Sequence, residues 1–313
     1  RAVAVKRLDQ GKTQGQGEFL QEIQVLGSCK HPHLLPLLAF SAQCSATVCL
    51  VTPLMRGGSF EDRLLLAPES LQRLQMVGFP GLRGGRVSPL TWEERVRICV
   101  EAGRGIAFLH AADPRSGKPQ ILHRDVKAAN ILLDERGRAR LCDAGLARVS
   151  SELQPEGSRS HVSSQRLVGT HGFLDPAYMA TGRIDAATDG YALGVTFMMA
   201  LTGQAALDEH APEPLLANRC HEALFGGRTA HGIQDPRAGW PGEVGERLLE
   251  GARRLVHPVR GRRWSVRHAV AHLEPALPSP PSAPAHERDP QAAAGARHED
   301  EGGGAGRGGG GEA

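Results

Sequence analysis

A short polar segment that runs directly into an apolar triplet is the feature of this sequence that most constrains its fold. Asp125, Lys127 and Asn130 supply a carboxylate, a cation and an amide, and the apolar residues 131–133 follow at once. Such a triplet, bounded by polar residues, predicts a short buried strand. We therefore expect the polar groups to lie on a loop that a buried strand anchors, which is a common arrangement for a functional site.

The chemistry of these three side chains suits phosphoryl transfer to a hydroxyl. A carboxylate can accept the proton, a cation can neutralise phosphate, and an amide can bind a metal ion. The order of residues 123–130 also resembles the catalytic loop of protein kinases, H-R-D-x-K-x-x-N. The alternative is a chance loop of mixed charge, and the motifs elsewhere in the chain decide between the two.

Composition limits the setting in which such a site would work. The chain has 313 residues, 40% of them hydrophobic, which is enough for one large or two small domains. Its net charge of +3 forms no basic stripe, so nucleic acid is not an expected partner. The six cysteines include no C-x-x-C pair, which favours a reducing compartment, and no apolar run approaches the roughly 20 residues of a membrane span. We expect a cytoplasmic chain, although a parent protein could carry a membrane anchor.

Two charged residues near the start of the chain form the next candidate pair. Residues 2–8 alternate as a strand does, and Lys6 lies near its end. Residues 18–27 have apolar side chains at helical spacing, with Glu22 beside them. The strand resembles the V-A-I-K strand of kinases, which implies that Lys6 grips the ATP phosphates and pairs with Glu22. The alternatives are a solvent-facing lysine and a glutamate paired along its own helix surface.

A buried strand over residues 48–51 leads into a segment that resembles the kinase hinge. The resemblance implies that Thr52 is the gatekeeper and that Pro53 and Met55 present backbone groups to the adenine base. Proline has no N–H. By this resemblance Pro53 needs to supply only a carbonyl acceptor, and Met55 supplies the N–H donor.

Asp143 begins a turn that resembles the metal-binding Asp-Phe-Gly motif. By this resemblance Asp143 holds Mg²⁺, with Asn130 as the second metal-binding residue. The chain departs from the family at Ala144, where a phenylalanine normally packs between His123 and the glutamate-bearing helix. A large-to-small change in such a place costs about 3–5 kcal/mol unless neighbours repack, so we expect weaker packing of the active arrangement.

The region after this turn resembles an activation loop and the segment that closes it. Residues 148–168 are rich in serine, namely Ser150, Ser151, Ser158, Ser160, Ser163 and Ser164. Any of these could be a phosphorylation site read by Arg124, although each alone is more simply part of a flexible loop. Residues 169–178 resemble the G-T-x-G-Y-L-D-P-E-Y run of plant receptor-like kinases and their Pelle and interleukin-receptor-associated relatives. Together with Lys127 they imply serine/threonine specificity.

Two further residues carry structural expectations from the same resemblance. Ala177 replaces the family's glutamate, so we expect its partner, Arg263, to lack an acid. Asp189 is expected to cap a core helix over residues 188–203 and to hold the catalytic loop.

The order of elements predicts a two-lobed α+β protein-kinase-like fold with a truncated N-lobe and a helical C-lobe. We expect a kinase domain over residues 1–274 (N-lobe 1–55, C-lobe 56–274) and a disordered tail over 275–313. Thr91 is a plausible N-cap for a long helix ending near His110, and helices are expected over 60–66, 243–256 and 265–274. The glycine- and proline-rich residues 67–89 are expected to form a mobile surface insertion.

Two functional hypotheses remain open from the sequence. The first is a serine/threonine kinase that uses ATP and Mg²⁺, acts on protein hydroxyls and answers to an upstream receptor or adaptor. The second is a pseudokinase or scaffold, favoured by Ala144, Ala177 and the absence of a glycine-rich loop ahead of the Lys6 strand. We expect either a fragment of a longer protein or a degraded kinase, with weak ATP binding and low activity for these 313 residues.

Overall fold

The amino-terminal part of the chain is a small antiparallel sheet followed closely by one long helix. The computed structural model describes residues 2–8, 13–41, 49–150 and 167–277. Strands β1 (Val3–Arg7), β2 (Ala39–Ser41) and β3 (Cys49–Pro53) pair in the order β1-β3-β2. Lys6 lies opposite Leu50 in this register. The predicted strands at 2–8 and 48–51 are therefore confirmed, apart from residue 48, which lies outside the described residues.

Helix α1 (Thr13–Ser28) is longer than the predicted helix over residues 18–27. It buries Phe19, Val25 and Leu26, and Glu22 is only 5% exposed because it lies on the same side as these apolar residues. The apolar spacing thus fixes which way the carboxylate of Glu22 points.

The remainder of the described chain is mainly helical. Its helices are α2 (Phe60–Leu65), α3 (Pro68–Met76), α4 (Trp92–His110), α5 (Pro176–Thr181), α6 (Ala186–Thr202), α7 (Leu216–Arg219), α8 (His221–Phe225), α9 (Gly242–Leu255) and α10 (Val266–Leu273). Its short strands are β4 (Gly58–Ser59), β5 (Ile121–Leu122), β6 (Ile131–Leu133), β7 (Ala139–Leu141) and β8 (Arg148–Val149), paired as β4-β6-β7 and β5-β8. The α+β fold expected from the sequence is confirmed.

Helices α4 and α6 form the centre of the larger part. Thr91 and Glu94 make a reciprocal capping box at the start of α4, as the position of Thr91 predicts. Helix α6 is buried along most of its length and packs against α4 and α9. A Cβ at Gly194 would lie 2.9 Å from the Cβ of Leu255, so glycine is required for this close approach of α9.

The prediction for residues 67–89 is wrong in its first half. Residues 68–76 form α3, whose Leu74 is fully buried and whose Arg73 pairs with Asp62 of α2. Pro68 occupies a first-turn position, where its missing N–H costs nothing. Gly78 and the glycines and prolines that follow supply turns only after the helix has ended.

Arg263 does not lack an acid, which corrects the expectation drawn from Ala177. Its guanidinium donates to both carboxylate oxygens of Asp175, Nη1 to Oδ2 at 2.7 Å and Nη2 to Oδ1 at 2.9 Å. Asp175 is fully buried, and the guanidinium also lies 5.3 Å from the ring centre of Tyr191. Asp175 starts α5 and accepts from the N–H of Ala177, so one carboxylate caps the helix and neutralises Arg263.

The cap of α6 also differs from the prediction. Asp185, not Asp189, accepts the N–H of Ala187 and forms the capping box of this helix. Asp189 lies in the first turn, where its carboxylate accepts hydrogen bonds from the backbone N–H groups of His123 and Arg124.

The compact part of the chain reaches slightly past the predicted boundary at residue 274. A 3-10 turn spans Glu274–Ala276, and Ala276 and Leu277 pack against the core. The rest of the predicted tail lies outside the described residues. Across the helices of the described ranges, none combines the length and the apolar character needed to span a membrane.

Candidate functional site

The segment from β5 to β6 is held in place by one buried carboxylate. Asp189 Oδ2 accepts the N–H of His123 at 2.8 Å, and Oδ1 accepts the N–H of Arg124 at 2.8 Å. Arg124 has a left-handed backbone (φ +70°), which is uncommon outside glycine and is stabilised here by that bond. Burial alone would raise the pKa of Asp189, but its bond to His110 and the bond that it accepts from the N–H of Arg124 lower it. The carboxylate therefore stays ionised and fixes the loop.

His123 connects this loop to the strand that precedes Asp143. Its Nδ1 lies 3.4 Å from the N–H of Asp125, and its Nε2 lies 3.1 Å from the carbonyl oxygen of Cys142. A ring that accepts at Nδ1 must carry its proton on Nε2, which then donates to Cys142. The bond couples the positions of Asp125 and Asp143.

Asp125 is the centre of a small polar network. Lys127 Nζ lies 2.8 Å from its Oδ2, and Asn130 Nδ2 donates to the same oxygen at 3.0 Å. The hydroxyl of Thr170 donates to Oδ1 at 2.6 Å and accepts from Lys127 at 2.8 Å. Burial alone would raise the pKa of Asp125, but the bonds from Lys127 and Thr170 lower it. The carboxylate is thus ionised and oriented, as an acceptor of a hydroxyl proton must be.

Thr170 is the member of this network that the sequence motifs do not identify. It follows Gly169 at the end of the loop and reaches the carboxylate across 45 positions of sequence. The signal available in the sequence is its place in the run 169–178, where a threonine follows glycine. Gly169 has φ +135° and lies against Arg124 and Leu174, so the turn that presents Thr170 depends on glycine.

Lys6 bridges two carboxylates from different parts of the chain. Its Nζ lies 2.8 Å from Glu22 Oε2 and 2.8 Å from Asp143 Oδ1. Burial alone would lower the pKa of Lys6, but the charges of Glu22 and Asp143 outweigh it and raise this pKa. Strand β1, helix α1 and the turn after β7 are thereby joined through one ammonium group.

The turn at Asp143 is tight and packs directly against α1. Asp143 has a left-handed backbone (φ +61°), and Ala144 is only 2% exposed. A Cβ at Gly145 would lie 3.2 Å from the carbonyl oxygen of Glu18. The small residues let α1 approach closely, and Lys6 and Glu22 form their ion pair with alanine at position 144.

A cavity of about 450 Å³ opens beside these charges. Lys6, Glu22, Asp125 and Asp143 all line it. It therefore brings together the carboxylates of Asp125 and Asp143 and the ammonium group of Lys6.

A second cavity, of about 530 Å³, lies along the hinge and is more apolar in character. Ala4, Thr52, Pro53, Met55 and Leu132 are among its lining residues. Within the described ranges, the N–H of Met55 has no hydrogen-bond acceptor, which leaves it available to a ligand. Pro53 lies opposite Val3 in the β1-β3 pairing.

The oxygen atoms near Asp143 suit a hard divalent cation. Asn130 donates through Nδ2 to Asp125, which leaves its Oδ1 for a metal ion, and Lys6 occupies only Oδ1 of Asp143. No cluster of three or more His, Cys, Asp or Glu side chains that could hold a metal occurs among the described residues. Two oxygens with phosphate and water as the remaining ligands match the way Mg²⁺ is commonly bound.

The predicted activation loop is described only at its ends. Ser150 donates its N–H to the carbonyl oxygen of Gln120 at 2.9 Å, whereas the other five serines named above lie outside the described residues. Arg124 donates through Nη1 to Leu146 at 3.3 Å, and its buried Nε has no partner in the described part of the chain.

Comparison with known proteins agrees with this geometry. The sequence model of the protein kinase domain matches residues 1–273. The chain is 38% identical over 237 residues to "Probable serine/threonine-protein kinase PBL11" of Arabidopsis thaliana, covering 75% of this chain and 54% of that protein. It is 38% identical over 210 residues to "Serine/threonine-protein kinase BIK1" of the same plant (67% of this chain, 46% of that protein). Similarity to "Receptor-like cytoplasmic kinase 176" of Oryza sativa subsp. japonica is 35% over 239 residues (76% and 54%). The chain thus spans about half the length of these curated relatives.

Proposed function

The chain belongs to the protein kinase family, and we propose that it transfers the γ-phosphate of ATP to serine and threonine hydroxyls of proteins. The observation that carries this proposal is the ionised carboxylate of Asp125, held by Lys127 and Thr170 beside the cavity that Lys6 and Asp143 also line. The cavity brings together a proton acceptor, the ammonium group of Lys6 and a carboxylate suited to a metal ion, and Lys127 binds the acceptor itself. These are the groups that phosphoryl transfer to a hydroxyl requires.

Asp125 orients the acceptor hydroxyl and takes its proton as the hydroxyl oxygen bonds to phosphorus and the bond to the β-phosphate oxygen breaks. Lys127 stabilises the negative charge that spreads over the transferring group. Thr170 holds both side chains in register, because its hydroxyl donates to Asp125 and accepts from Lys127. ATP with a divalent cation supplies the phosphoryl group and neutralises the phosphate charge.

The nucleotide is assigned to the two cavities. In this proposal the base contacts Thr52, the carbonyl oxygen of Pro53 and the N–H of Met55, all three of which line the hinge cavity. Lys6, positioned by Glu22, binds the phosphates, and Lys127 contributes a second cation on the other side. Mg²⁺ would be held by the amide oxygen of Asn130 and by the carboxylate oxygen of Asp143 that does not contact Lys6.

We extend the proposal to the setting of the protein. The substrates are proteins that present serine or threonine, and the location is cytoplasmic, by similarity to the relative named "Receptor-like cytoplasmic kinase 176". An upstream receptor or adaptor is the corresponding regulatory partner. The kinase domain predicted over residues 1–274 (lobes 1–55 and 56–274) is extended to residue 277, because Ala276 and Leu277 pack against its core.

Transfer of labelled phosphate to three peptides that differ only in a serine, threonine or tyrosine acceptor tests the proposal. We expect transfer to serine and threonine in the presence of MgATP, and a loss of about 100-fold in Lys6→Met, because the phosphates lose their cation. Lys30→Met is the matched control, since Lys30 is exposed just after α1 and does not line either cavity. Preferential transfer to tyrosine, or equal rates in the two lysine variants, would contradict the proposal.

A further inference from the structure

The segment that presents Thr170 to the catalytic loop is also held through its backbone. The N–H of Val168, two residues earlier, donates to the phenolic oxygen of Tyr178 at 3.2 Å. The carbonyl oxygen of Thr170 accepts the N–H of Phe173 at 3.1 Å, which closes a tight turn. Tyr178 thus fixes the segment on the side where it enters the turn, and the mechanism proposed above makes no use of this residue.

Tyr178 is itself a well-fixed point of the fold. It is only 5% exposed and lies in the middle of α5. The helix starts at Asp175, whose buried carboxylate is bound to Arg263. It ends where the N–H of Gly182 donates to the carbonyl oxygen of Tyr178 at 2.8 Å. Because both ends of α5 are fixed, the hydroxyl of Tyr178 has a defined position against which Val168 is held.

Little free space separates this segment from the catalytic loop. A Cβ at Gly169 would lie 2.8 Å from Cδ2 of Leu174 and 3.4 Å from the carbonyl oxygen of Arg124. The cavity that remains there, which Val168 and Thr170 help to line, has a volume of only about 20 Å³. Closely packed regions transmit a displacement to their neighbours instead of absorbing it. A movement of Val168 would therefore shift Thr170.

The position of Thr170 matters because its hydroxyl serves two catalytic side chains at once. It donates to Asp125 at 2.6 Å and accepts from Lys127 at 2.8 Å. Hydrogen bonds weaken steeply as their geometry departs from the ideal, and a catalytic group must be held within about 0.5 Å of its productive position. Support two residues away from Thr170 therefore determines how well Asp125 is oriented to take a proton.

We propose that Tyr178 is a positioning residue for phosphate transfer, because its hydroxyl holds the backbone at Val168 and so keeps the hydroxyl of Thr170 on Asp125. The inference rests on the proposed function, which assigns Asp125 as the proton acceptor. Tyr178 lines neither of the two cavities assigned to the nucleotide, so its effect on the reaction passes through Thr170.

The substitution Tyr178→Phe tests this role, because it removes only the hydroxyl and keeps the buried ring. We expect kcat for a serine peptide to fall about fivefold to tenfold, because the segment loses one hydrogen bond that positions it. The dissociation constant of MgATP should stay within about twofold, since the side chains assigned to the nucleotide are untouched. Tyr191→Phe is the matched control and should keep the wild-type kcat. Tyr191 is the other of the two tyrosines in the chain and is similarly buried, at 7% exposure.

A double-mutant cycle with Thr170→Val separates positioning from a purely structural role. We expect Thr170→Val to lower kcat, and Tyr178→Phe to lower it less than about twofold further in that background, because the hydroxyl through which Tyr178 acts has gone. All variants are compared at a temperature at which their melting curves show them folded. Effects that multiply would mean that the two residues act independently and would overturn the inference.

The remaining outcomes distinguish this inference from the proposed function. A wild-type kcat in Tyr178→Phe, together with transfer that depends on Lys6, would overturn the role of Tyr178 and leave the kinase assignment intact. Absence of transfer by the wild-type chain would overturn the proposed function and this inference with it.

Discussion

At the scale of single residues, Asp175 has two structural roles, as a helix cap and as the partner of a buried arginine. It caps α5 and forms a two-point ion pair with Arg263, although position 177 carries alanine. Removal of the carboxylate partner of a buried arginine is strongly destabilising. Alanine at position 177 has no such effect, because Asp175 already pairs with Arg263. The departure at Ala177 therefore has little structural cost in this chain.

Substitution at these two positions should give opposite results. We expect Asp175→Ala to lower the free energy of unfolding by about 3–5 kcal/mol, because it leaves Arg263 buried and unpaired. We expect Ala177→Glu to change it by less than about 0.5 kcal/mol, because Arg263 already has its acid. Chemical denaturation of the two variants measures both values. A marked gain in stability from Ala177→Glu would mean that Arg263 is not satisfied by Asp175.

The residues of the site that could be predicted are those that lie close together in the sequence. Asp125, Lys127 and Asn130 come from one segment, so their spacing alone predicts a shared function. Thr170 joins them only through the fold, and no local pattern predicts that its hydroxyl faces Asp125. The prediction that Arg263 lacks an acid is wrong for the same reason, because the sequence does not show that Asp175, at the start of α5, lies within reach of its guanidinium.

At the scale of elements, α3 shows where sequence patterns mislead. The strands and helices with clear apolar periodicity were predicted, including α1, α4 and α6. In residues 68–76 one leucine is buried, and the residues around it in sequence are mostly polar. The glycines and prolines that follow dominate the composition of residues 67–89. The helix forms because Leu74 packs against Gly58 and because Arg73 forms an ion pair with Asp62. Both are tertiary contacts, which override weak local propensity.

Removal of the anchor should release this helix. We expect Leu74→Ala to cost about 2–5 kcal/mol, because it removes a fully buried side chain. Amide hydrogen exchange over residues 68–77 should rise along with it, since α3 has few other apolar contacts. Leu71→Ala, at a partly buried position of the same helix, is the matched control and should cost less. Equal effects of the two variants would show that Leu74 is not the anchor.

At the scale of the whole molecule, Asp189 joins parts of the fold that are distant in sequence. Asp189 lies on α6, and its carboxylate accepts hydrogen bonds from the backbone N–H groups of His123 and Arg124. It also contacts His110 at the end of α4. Because these bonds favour the charged form of the carboxylate, the pKa of Asp189 is lowered in the folded state despite burial, which acts in the opposite direction.

This linkage predicts how stability depends on pH. A carboxylate with a lowered folded pKa contributes stability above its unfolded pKa of about 3.9, and loses it as the pH falls towards the folded value. We expect the free energy of unfolding to fall below about pH 5. Asp189→Asn should be less stable at neutral pH and should show a shallower fall in acid. Glu135→Gln, which removes an exposed carboxylate, should keep the wild-type slope. An unchanged slope in Asp189→Asn would contradict the linkage.

The most direct test of the kinase assignment compares nucleotide binding and phosphate transfer in Asp125→Asn. The variant keeps the size of the side chain but cannot take the proton of the acceptor hydroxyl. We expect the rate of transfer to a serine peptide to fall by about 10²–10⁴-fold. The dissociation constant of MgATP should stay within about twofold, because Lys6, Asn130 and Asp143 are untouched. Asp208→Asn, in an exposed loop, should leave both quantities unchanged. Transfer that continues at the wild-type rate in Asp125→Asn would contradict the assignment of Asp125 as the proton acceptor, and with it the function proposed for this chain.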